Sequence, residues 1–134
     1  MDTTHVRFDL PFKVSSGKTA RAKRVHIMPS LNNQHNGYSK KAIMQNLSLL
    51  ILANARSVTK FNKAIIRVNR KACRLLDETN LKGSFKTLED CLVRMGFFHD
   101  DSPDFLKPDV FQEKVSKRVE EKIEIEIIAK DNFD

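Results

Sequence analysis

The chain has few of the residues that mark secreted, fibrous or membrane-spanning proteins. It contains no tryptophan, only four glycines and four prolines, and two cysteines among 134 residues. Cys73 and Cys91 form no C-x-x-C pair and have no histidine at zinc-ligand spacing, which favours two reduced thiols. The most apolar stretch, Leu47–Ala53, is far shorter than the roughly 20 residues of a membrane span. No transmembrane protein and no zinc-binding protein is therefore expected.

The chain begins MDTTHVRFDL, without the basic segment and apolar run of a secretory signal. This predicts a cytoplasmic protein that has no contact with a membrane. An apolar content of 40% with so little glycine and proline favours a folded globule over a disordered chain. A chain of this length predicts one domain over residues 1–134.

Positive and negative charges are unevenly distributed along the chain. Residues 1–74 hold 15 Lys and Arg against two acids, a formal charge of +13. Residues 75–134 hold nine against 15 acids, a formal charge of −6. The first half is a candidate polyanion-binding surface, and nearly all the acids lie in the second half, which contains the candidate site.

Hydrophobic periodicity predicts an α+β fold, with a mixed β-sheet and two main helices packed on it. Lys122–Ile128 alternates strictly and is the clearest strand. Residues 13–24 combine five basic residues with Ser, Gly and Thr, which predicts a mobile basic loop. Val110–Val119 fits a strand or a helix, and a strand is favoured. The remaining predicted elements are strands at Val6–Phe12, Arg24–Met28 and Phe61–Cys73, and helices at Ser39–Arg56 and Asn80–Met95.

Two carboxylate clusters, Asp77/Glu78 and Asp100/Asp101, flank the second predicted helix. Acids repel phosphate, but they are well placed in a basic protein if they hold a divalent metal against a phosphodiester. A basic frame around an acidic centre is typical of a nuclease. Spacing alone leaves a second interpretation open, in which Asp77 caps the helix and Asp100–Pro103 is an ordinary turn.

The segment LDETNLKGSFKTLEDCLVRMGFFHDDSP resembles the core motif of RusA-type Holliday-junction resolvases, which are small dimeric endonucleases common in phages. That family shows D-x-D-N-L, then a helix with Lys and with Asp four residues later, then a Gly-containing turn ending in Asp-Asp. The earlier Pro29–Asn32 also resembles its P-S-x-N turn. The matching residues of the core motif are Asp77, Asn80, Leu81, Lys86, Asp90, Leu92, Gly96, Asp100 and Asp101.

The resemblance implies a RusA-like fold and Mg²⁺-dependent hydrolysis of branched DNA, with Mn²⁺ as a possible substitute and no organic cofactor. Asp77 and Asp101 would be metal ligands, assisted by Asp100 and Glu78, and Lys86 would offset charge in the transition state. Thr79 stands where the family has its second Asp, so either Glu78 supplies that carboxylate or cutting is weakened. A pair of Lys86 with Asp90 is the structural alternative for the lysine.

The basic residues predict where DNA would bind. Those of the predicted loop and those just before Asp77 could contact several phosphates, so affinity should fall steeply with salt. Asn32 joins them through the resemblance. Paired nicks in a four-way junction call for a homodimer with two sites. The predicted DNA-binding residues are Lys18, Arg21, Lys23, Arg24, Asn32, Arg67, Arg70, Lys71 and Arg74. A branched-DNA-binding protein with little cutting, or a basic regulatory protein, are the alternative functions.

Overall fold

The computed structural model describes residues 5–19, 21–30 and 37–131, with side chains of the last range from Lys40 onward. Asn32 lies outside these residues. The elements in chain order are β1 (His5–Pro11), β2 (Lys13–Ser15), β3 (Arg24–His26), α1 (Gly37–Ala55), β4 (Ala64–Ala72), α2 (Glu78–Ser84), α3 (Lys86–Met95), β5 (Leu106–Lys114), the 3-10 helix Arg118–Glu120 and β6 (Lys122–Ala129).

Four strands form a mixed sheet in the order β1-β6-β4-β5. The β4–β5 pair is parallel, with Ala64 opposite Leu106, whereas β6 is antiparallel to both β1 and β4. A parallel pair needs a long crossover, and here α2 and α3 supply it. β2 and β3 form a separate antiparallel pair. The predicted α+β class with a mixed sheet is confirmed.

One face of the sheet builds the core because strand side chains alternate with a period of two. Ile66 and Val68 of β4 are fully buried, and the side chains of Ile125 and Ile127 of β6 are at most 1% exposed. Helices α1 and α3 cover this face with a matching apolar stripe, whose fully buried residues include Leu47, Ile51, Leu88 and Leu92. Among the described residues no helix combines the length and the apolarity needed to cross a membrane.

The second predicted helix is divided into α2 and α3 at Phe85. The Ser84 hydroxyl donates to the Leu81 carbonyl oxygen at 2.6 Å, and such local bonds compete with the regular helix ladder. Gly96 ends α3 in the left-handed conformation at φ 96°, as a glycine after a helix should. The break sets Lys86 at the start of a new helix.

The predicted loop 13–24 is not a simple loop, because its two ends are the paired strands β2 and β3. The Asn46 side chain of α1 donates to the carbonyl oxygens of Ser15 and Gly17, both at 2.9 Å. This hairpin is therefore attached to the helix layer. The sequence pattern missed the pairing because each strand has only three residues, too few for a visible alternation.

Candidate functional site

Lys86 is surrounded by carboxylates from α3 and from the turn that follows it. Its Nζ lies 3.1 Å from Asp101 Oδ2, 3.2 Å from Asp90 Oδ1 and 3.8 Å from Glu89 Oε1. Glu89 and Asp90 follow Lys86 by three and four residues, which places them beside it on the helix. Lys40 of α1 binds the other oxygen of Asp90 at 2.8 Å. We refer to Lys86, Glu89, Asp90 and Asp101 as the Lys86 cluster.

The carboxylates of the Lys86 cluster can also serve as a cation site. Glu89, Asp90 and Asp101 each offer an oxygen, and these atoms lie within 4.8 Å of one another. Oxygen ligands of this kind suit Mg²⁺ and Mn²⁺. The side chain of Lys86 is about half exposed, so its ammonium group can leave the acids for solvent or for a phosphate. The donor set therefore fits a hard divalent ion.

The environment separates the proton affinities of two of these acids. The hydrogen bond from Lys86, followed by one involving Asp100, lowers the pKa of Asp101. Burial raises the pKa of Glu89, against the opposing effect of Lys86. Hydrogen bonds to Asp101 and then to Asp90 raise the pKa of Lys86. The lysine is therefore charged at neutral pH, and Asp101 is ionised beside it.

Asp77 has the structure of a helix cap. Its Oδ1 accepts from the Asn80 backbone N–H and its Oδ2 from the Asn80 side-chain amide, both at 2.8 Å. These bonds lower the pKa of Asp77. Neighbouring Glu78 faces Lys82 at 3.9 Å, and both Glu78 and Thr79 are exposed. The acid pair predicted at the start of this helix is therefore engaged locally.

The structure keeps Asp77 out of the Lys86 cluster. The backbone N–H of Leu76, next to Asp77, donates to Gln112 Oε1 at 2.9 Å. Ser102, next to Asp101, accepts from the Leu106 N–H at 3.1 Å. Leu106 and Gln112 are six residues apart on β5, about 20 Å at strand spacing. The two acids thus adjoin opposite parts of β5, and a shared metal remains a prediction.

Asp100 belongs to the turn rather than to the metal-ligand group. Its Oδ1 accepts from the backbone N–H of Asp101 at 2.7 Å, which fixes the orientation of its neighbour. Among the described residues, the group of three that can hold a cation combines Asp101 with Glu89 and Asp90. Asp77 and Asp100 are not part of that group, and their predicted role as metal ligands stays a prediction.

A groove of about 670 Å³ opens beside the Lys86 cluster, between the α2–α3 pair and β5. Phe85, Pro108 and Val110 give it an apolar floor, and Lys82 and Lys86 lie at its margin with Glu89 and Asp109. The cluster therefore borders an open surface large enough for a nucleotide-sized group.

The predicted DNA-binding residues of the hairpin share one property. Lys18, Arg21, Lys23 and Arg24 are all exposed. Arg24 also donates to the Lys13 carbonyl oxygen at 3.2 Å, across the β2–β3 pair. The hairpin therefore presents cations to solvent from a fixed base.

The basic residues of β4 and its extension lie on different faces. Arg67 lies 3.6 Å from both Asp109 and Glu126, and Lys71 lies 3.5 Å from Glu124, all on the sheet face opposite the helices. Arg70 points the other way and is 2% exposed, while Arg74 after the strand is exposed. A strand alternates its side chains, so these four residues do not form a single patch, and their contacts with DNA stay a prediction.

One cation of the site carried no signal in the sequence. Lys40 is 50 residues from Asp90, so only the fold brings the two together. Glu89 and Asp90 were identifiable, because their spacing from Lys86 is that of helical neighbours. A comparison with models of known protein families gave no match, and neither did a comparison with curated proteins.

Proposed function

We propose that this protein is a metal-dependent endonuclease that cuts branched DNA, as the RusA-type resemblance implies. The observation that carries the proposal is the Lys86 cluster. Lys86 and Asp101 were both singled out by the resemblance, and their charged atoms are 3.1 Å apart although 15 residues separate them. Lys86 and Glu89 of the cluster line an open groove rather than the core. Basic and acidic groups at the edge of a groove are suited to phosphodiester cleavage.

Each member of the cluster has a role in this proposal. Glu89, Asp90 and Asp101 would hold Mg²⁺ or Mn²⁺, which when bound polarises the scissile phosphate and lowers the pKa of water. Lys86 moves from the carboxylates to a nonbridging phosphate oxygen, where it offsets the charge that develops in the transition state. Lys40 keeps Asp90 oriented from α1. Asp100 orients Asp101 through its backbone N–H.

Substrate binding is assigned to the exposed cations of the hairpin. Phosphate contacts position a nucleic acid without reading its bases, which suits recognition of a branched shape. A symmetric homodimer would supply the second active site for the paired nick. The free thiols Cys73 and Cys91 are typical of proteins in a reducing compartment such as the cytoplasm.

A second candidate function is branched-DNA binding with little cutting. It is favoured by the hydrogen bonds of Asp77 with Asn80 and by the ion pair of Glu78 with Lys82, which already engage both acids. Thr79, the next residue, adds no carboxylate. In this alternative the Lys86 cluster is a structural ion-pair network that joins α1, α3 and the turn after α3.

The test is cleavage of a labelled four-way junction by the full chain, with Mg²⁺, with Mn²⁺ and with EDTA, beside a linear duplex. Asp101→Asn should abolish cleavage and keep or tighten junction binding, because removing an acid reduces repulsion of phosphate. Asp104→Asn is the matched control, since Asp104 is an exposed acid of the same turn that lies outside the cluster. It should cut normally.

Each outcome selects one function. Metal-dependent paired nicks that need Asp101 and not Asp104 support the endonuclease. Tight junction binding without nicks in either metal supports the binding protein. Equal cleavage by wild type and Asp101→Asn would overturn the proposed site, and equal affinity for junction and duplex would overturn the branched substrate.

A further inference from the structure

A second charged pocket of about 240 Å³ lies away from the Lys86 cluster, between the β2–β3 hairpin, the end of β4 and the 3-10 helix before β6. It has an unusual composition, since four permanently basic side chains surround it with one carboxylate. The lining residues are Phe12, Lys13, His26, Arg70, Cys73, Arg74, Arg118 and Glu121.

Arg70 is the fixed part of this pocket. Only 2% of its surface is exposed. Its Nε donates to the Met28 carbonyl oxygen and its NH1 to the Arg74 carbonyl oxygen, both at 3.1 Å. The guanidinium lies over the Phe12 ring, 4.9 Å from its centroid. These contacts hold a buried charge in one orientation, and no carboxylate of the described residues is in direct contact with it.

The charges around Arg70 are not balanced within the described part of the chain. Among those residues, no carboxylate lies within 4.0 Å of a charged nitrogen of Lys13, Arg70, Arg74 or Arg118. Glu121 is near enough to act on Arg70 electrostatically, but its Oε2 accepts from the Cys73 backbone N–H at 2.9 Å. A buried charge without a counter-charge is costly. The pocket therefore calls for an anion from outside the chain.

We propose that this pocket binds a phosphate group of a nucleic-acid backbone, with Arg70 at its floor and Lys13, Arg74 and Arg118 at its mouth. Guanidinium groups match phosphate oxygens with paired hydrogen bonds. The tilted rings of Phe12 and His26, with centroids 4.8 Å apart, offer an aromatic wall to the attached sugar. This inference rests on the proposed function for its choice of nucleic acid over a free anion.

The position of the pocket favours an extended polyanion. Lys13 begins β2, and Arg24 of the paired strand bonds to its carbonyl oxygen. The exposed cations of the hairpin therefore continue directly from the mouth of the pocket. A nucleic-acid strand that follows them delivers one phosphate into the pocket, whereas a small anion makes no use of the hairpin.

Cys73 provides a direct readout. It lines the pocket and is partly exposed, whereas Cys91 is 1% exposed and serves as an internal reference. Partial burial and nearby Glu121 raise the pKa of the Cys73 thiol, so alkylation is measured at mildly alkaline pH. A phosphate in the pocket both covers the sulfur and disfavours its thiolate, so it slows the reaction on both counts.

The experiment follows alkylation of the full chain by neutral iodoacetamide, with mass spectrometry of the Cys73 peptide. The probes are a single-stranded oligonucleotide, a four-way junction, inorganic phosphate, and chloride at matched ionic strength. An oligonucleotide at ten times its dissociation constant should slow the reaction about ten-fold by occupancy. Each rate is expressed relative to the same protein in chloride, because substitutions also change the intrinsic reactivity of the thiol.

Three variants complete the test. Arg118→Gln and Arg74→Gln remove cations from the mouth and should lose most of the protection. Lys117→Gln removes an exposed cation next to Arg118 that does not line the pocket, and it should keep the protection. All three positions are exposed, so we expect each variant to fold, and circular dichroism checks this.

The outcomes decide the ligand. Protection by oligonucleotide or junction that depends on Arg118 and Arg74 supports the proposal. Equal protection by inorganic phosphate would reassign the pocket to a small anion, and no protection, or equal loss with Lys117→Gln, would overturn it. The readout needs no cleavage, so a failed nuclease assay with intact protection rejects the proposed function alone, and the reverse result rejects the pocket alone.

Discussion

The Lys86 cluster and the Arg70 pocket handle electric charge in opposite ways. In the cluster, one lysine lies within 3.8 Å of three carboxylates, and a second lysine binds one of them. In the pocket, four cations share one carboxylate that is itself hydrogen-bonded to the backbone. The cluster is nearly complete without a ligand, whereas the pocket lacks its counter-charge.

This contrast indicates what each region can bind. A ligand of the cluster has to replace Lys86, so it must be a cation that competes for the carboxylates. A ligand of the pocket joins four cations without displacing any of them, so it must be an anion. A protein that brings metal and phosphate together needs both kinds of site, and the two regions are built from different parts of the chain.

The largest expected effect comes from removing the cation that completes the cluster. Lys86→Met should lower cleavage by about 10²–10³-fold, the usual loss when a group that stabilises transition-state charge is removed. It also leaves three carboxylates within 4.8 Å of one another, so Mg²⁺ should raise the melting temperature of the variant more than that of wild type. Lys82→Met is the control, since Lys82 is exposed and, among the described residues, its ion pair is with Glu78, outside the cluster. Equal metal stabilisation of all three proteins would contradict the cation site.

The second largest effect is expected on the sheet face opposite the helices, where acids again surround a polar side chain. Asn69 is 8% exposed and donates to Glu124 at 2.9 Å and to Glu113 at 3.3 Å. Asn69→Asp places a third carboxylate against two others, and we expect the free energy of unfolding to fall by about 2–4 kcal/mol. Urea unfolding measures it. Asn54→Asp, at an exposed position where Asn54 donates to the Leu50 carbonyl oxygen at 2.7 Å, should lose less. Equal losses in both variants would contradict this account.

Two acids of the cluster, Glu89 and Asp101, should change the free energy of unfolding in opposite directions as the pH falls. The pKa of Glu89 is raised above its ordinary 4.5, so the folded chain binds this proton first and gains stability as the pH falls towards 4.5. The pKa of Asp101 is lowered below its ordinary 3.8. Its contribution is therefore complete above 3.8 and is lost as the pH falls through the lowered pKa.

Thermal unfolding between pH 7 and pH 2 at fixed ionic strength measures both slopes. Glu89→Gln should remove part of the gain in stability as the pH falls towards 4.5. Asp101→Asn should remove part of the loss of stability below pH 3.8. Curves for these variants that run parallel to that of wild type would show that neither acid is perturbed by its neighbours.

The smallest effect concerns Asp77, which we expect to act as a cap in the isolated chain. Asp77→Ala should lower the melting temperature by about 2–5 °C, because the backbone N–H of Asn80 loses its acceptor. Asp77→Asn should lower it less, since Asn is also a good cap. Loss of cleavage by Asp77→Asn at unchanged stability would instead support its predicted role as a metal ligand.

Much of the fold was predictable from local patterns. The alternation in Lys122–Ile128 identified β6, which extends one residue further. Leu88 and Leu92 identified the core side of the second helix, and both are fully buried. The β2–β3 pair was missed because its strands are too short for a period, and the break at Phe85 was missed because the apolar spacing continues across it.

The candidate site was predictable only where its residues are neighbours in sequence. Lys86, Glu89 and Asp90 follow helical spacing, and the resemblance added Asp101. The basic residues before Asp77 were predicted to bind DNA, and strand alternation distributes those of β4 over two faces of the sheet. Arg67 and Lys71 are engaged with acids on one face, and Arg70 is buried on the other.

The sequence by itself determined the α+β class, the helix and strand faces that form the core, and the separation of a basic half from an acidic half. These properties depend on residue type and on short spacings, which the chain carries before it folds. Only the tertiary structure decided which charges meet. Asp101 reaches Lys86 across 15 residues and Arg118 joins Arg70 across 48, because strand order and the crossover through α2 and α3 set those distances.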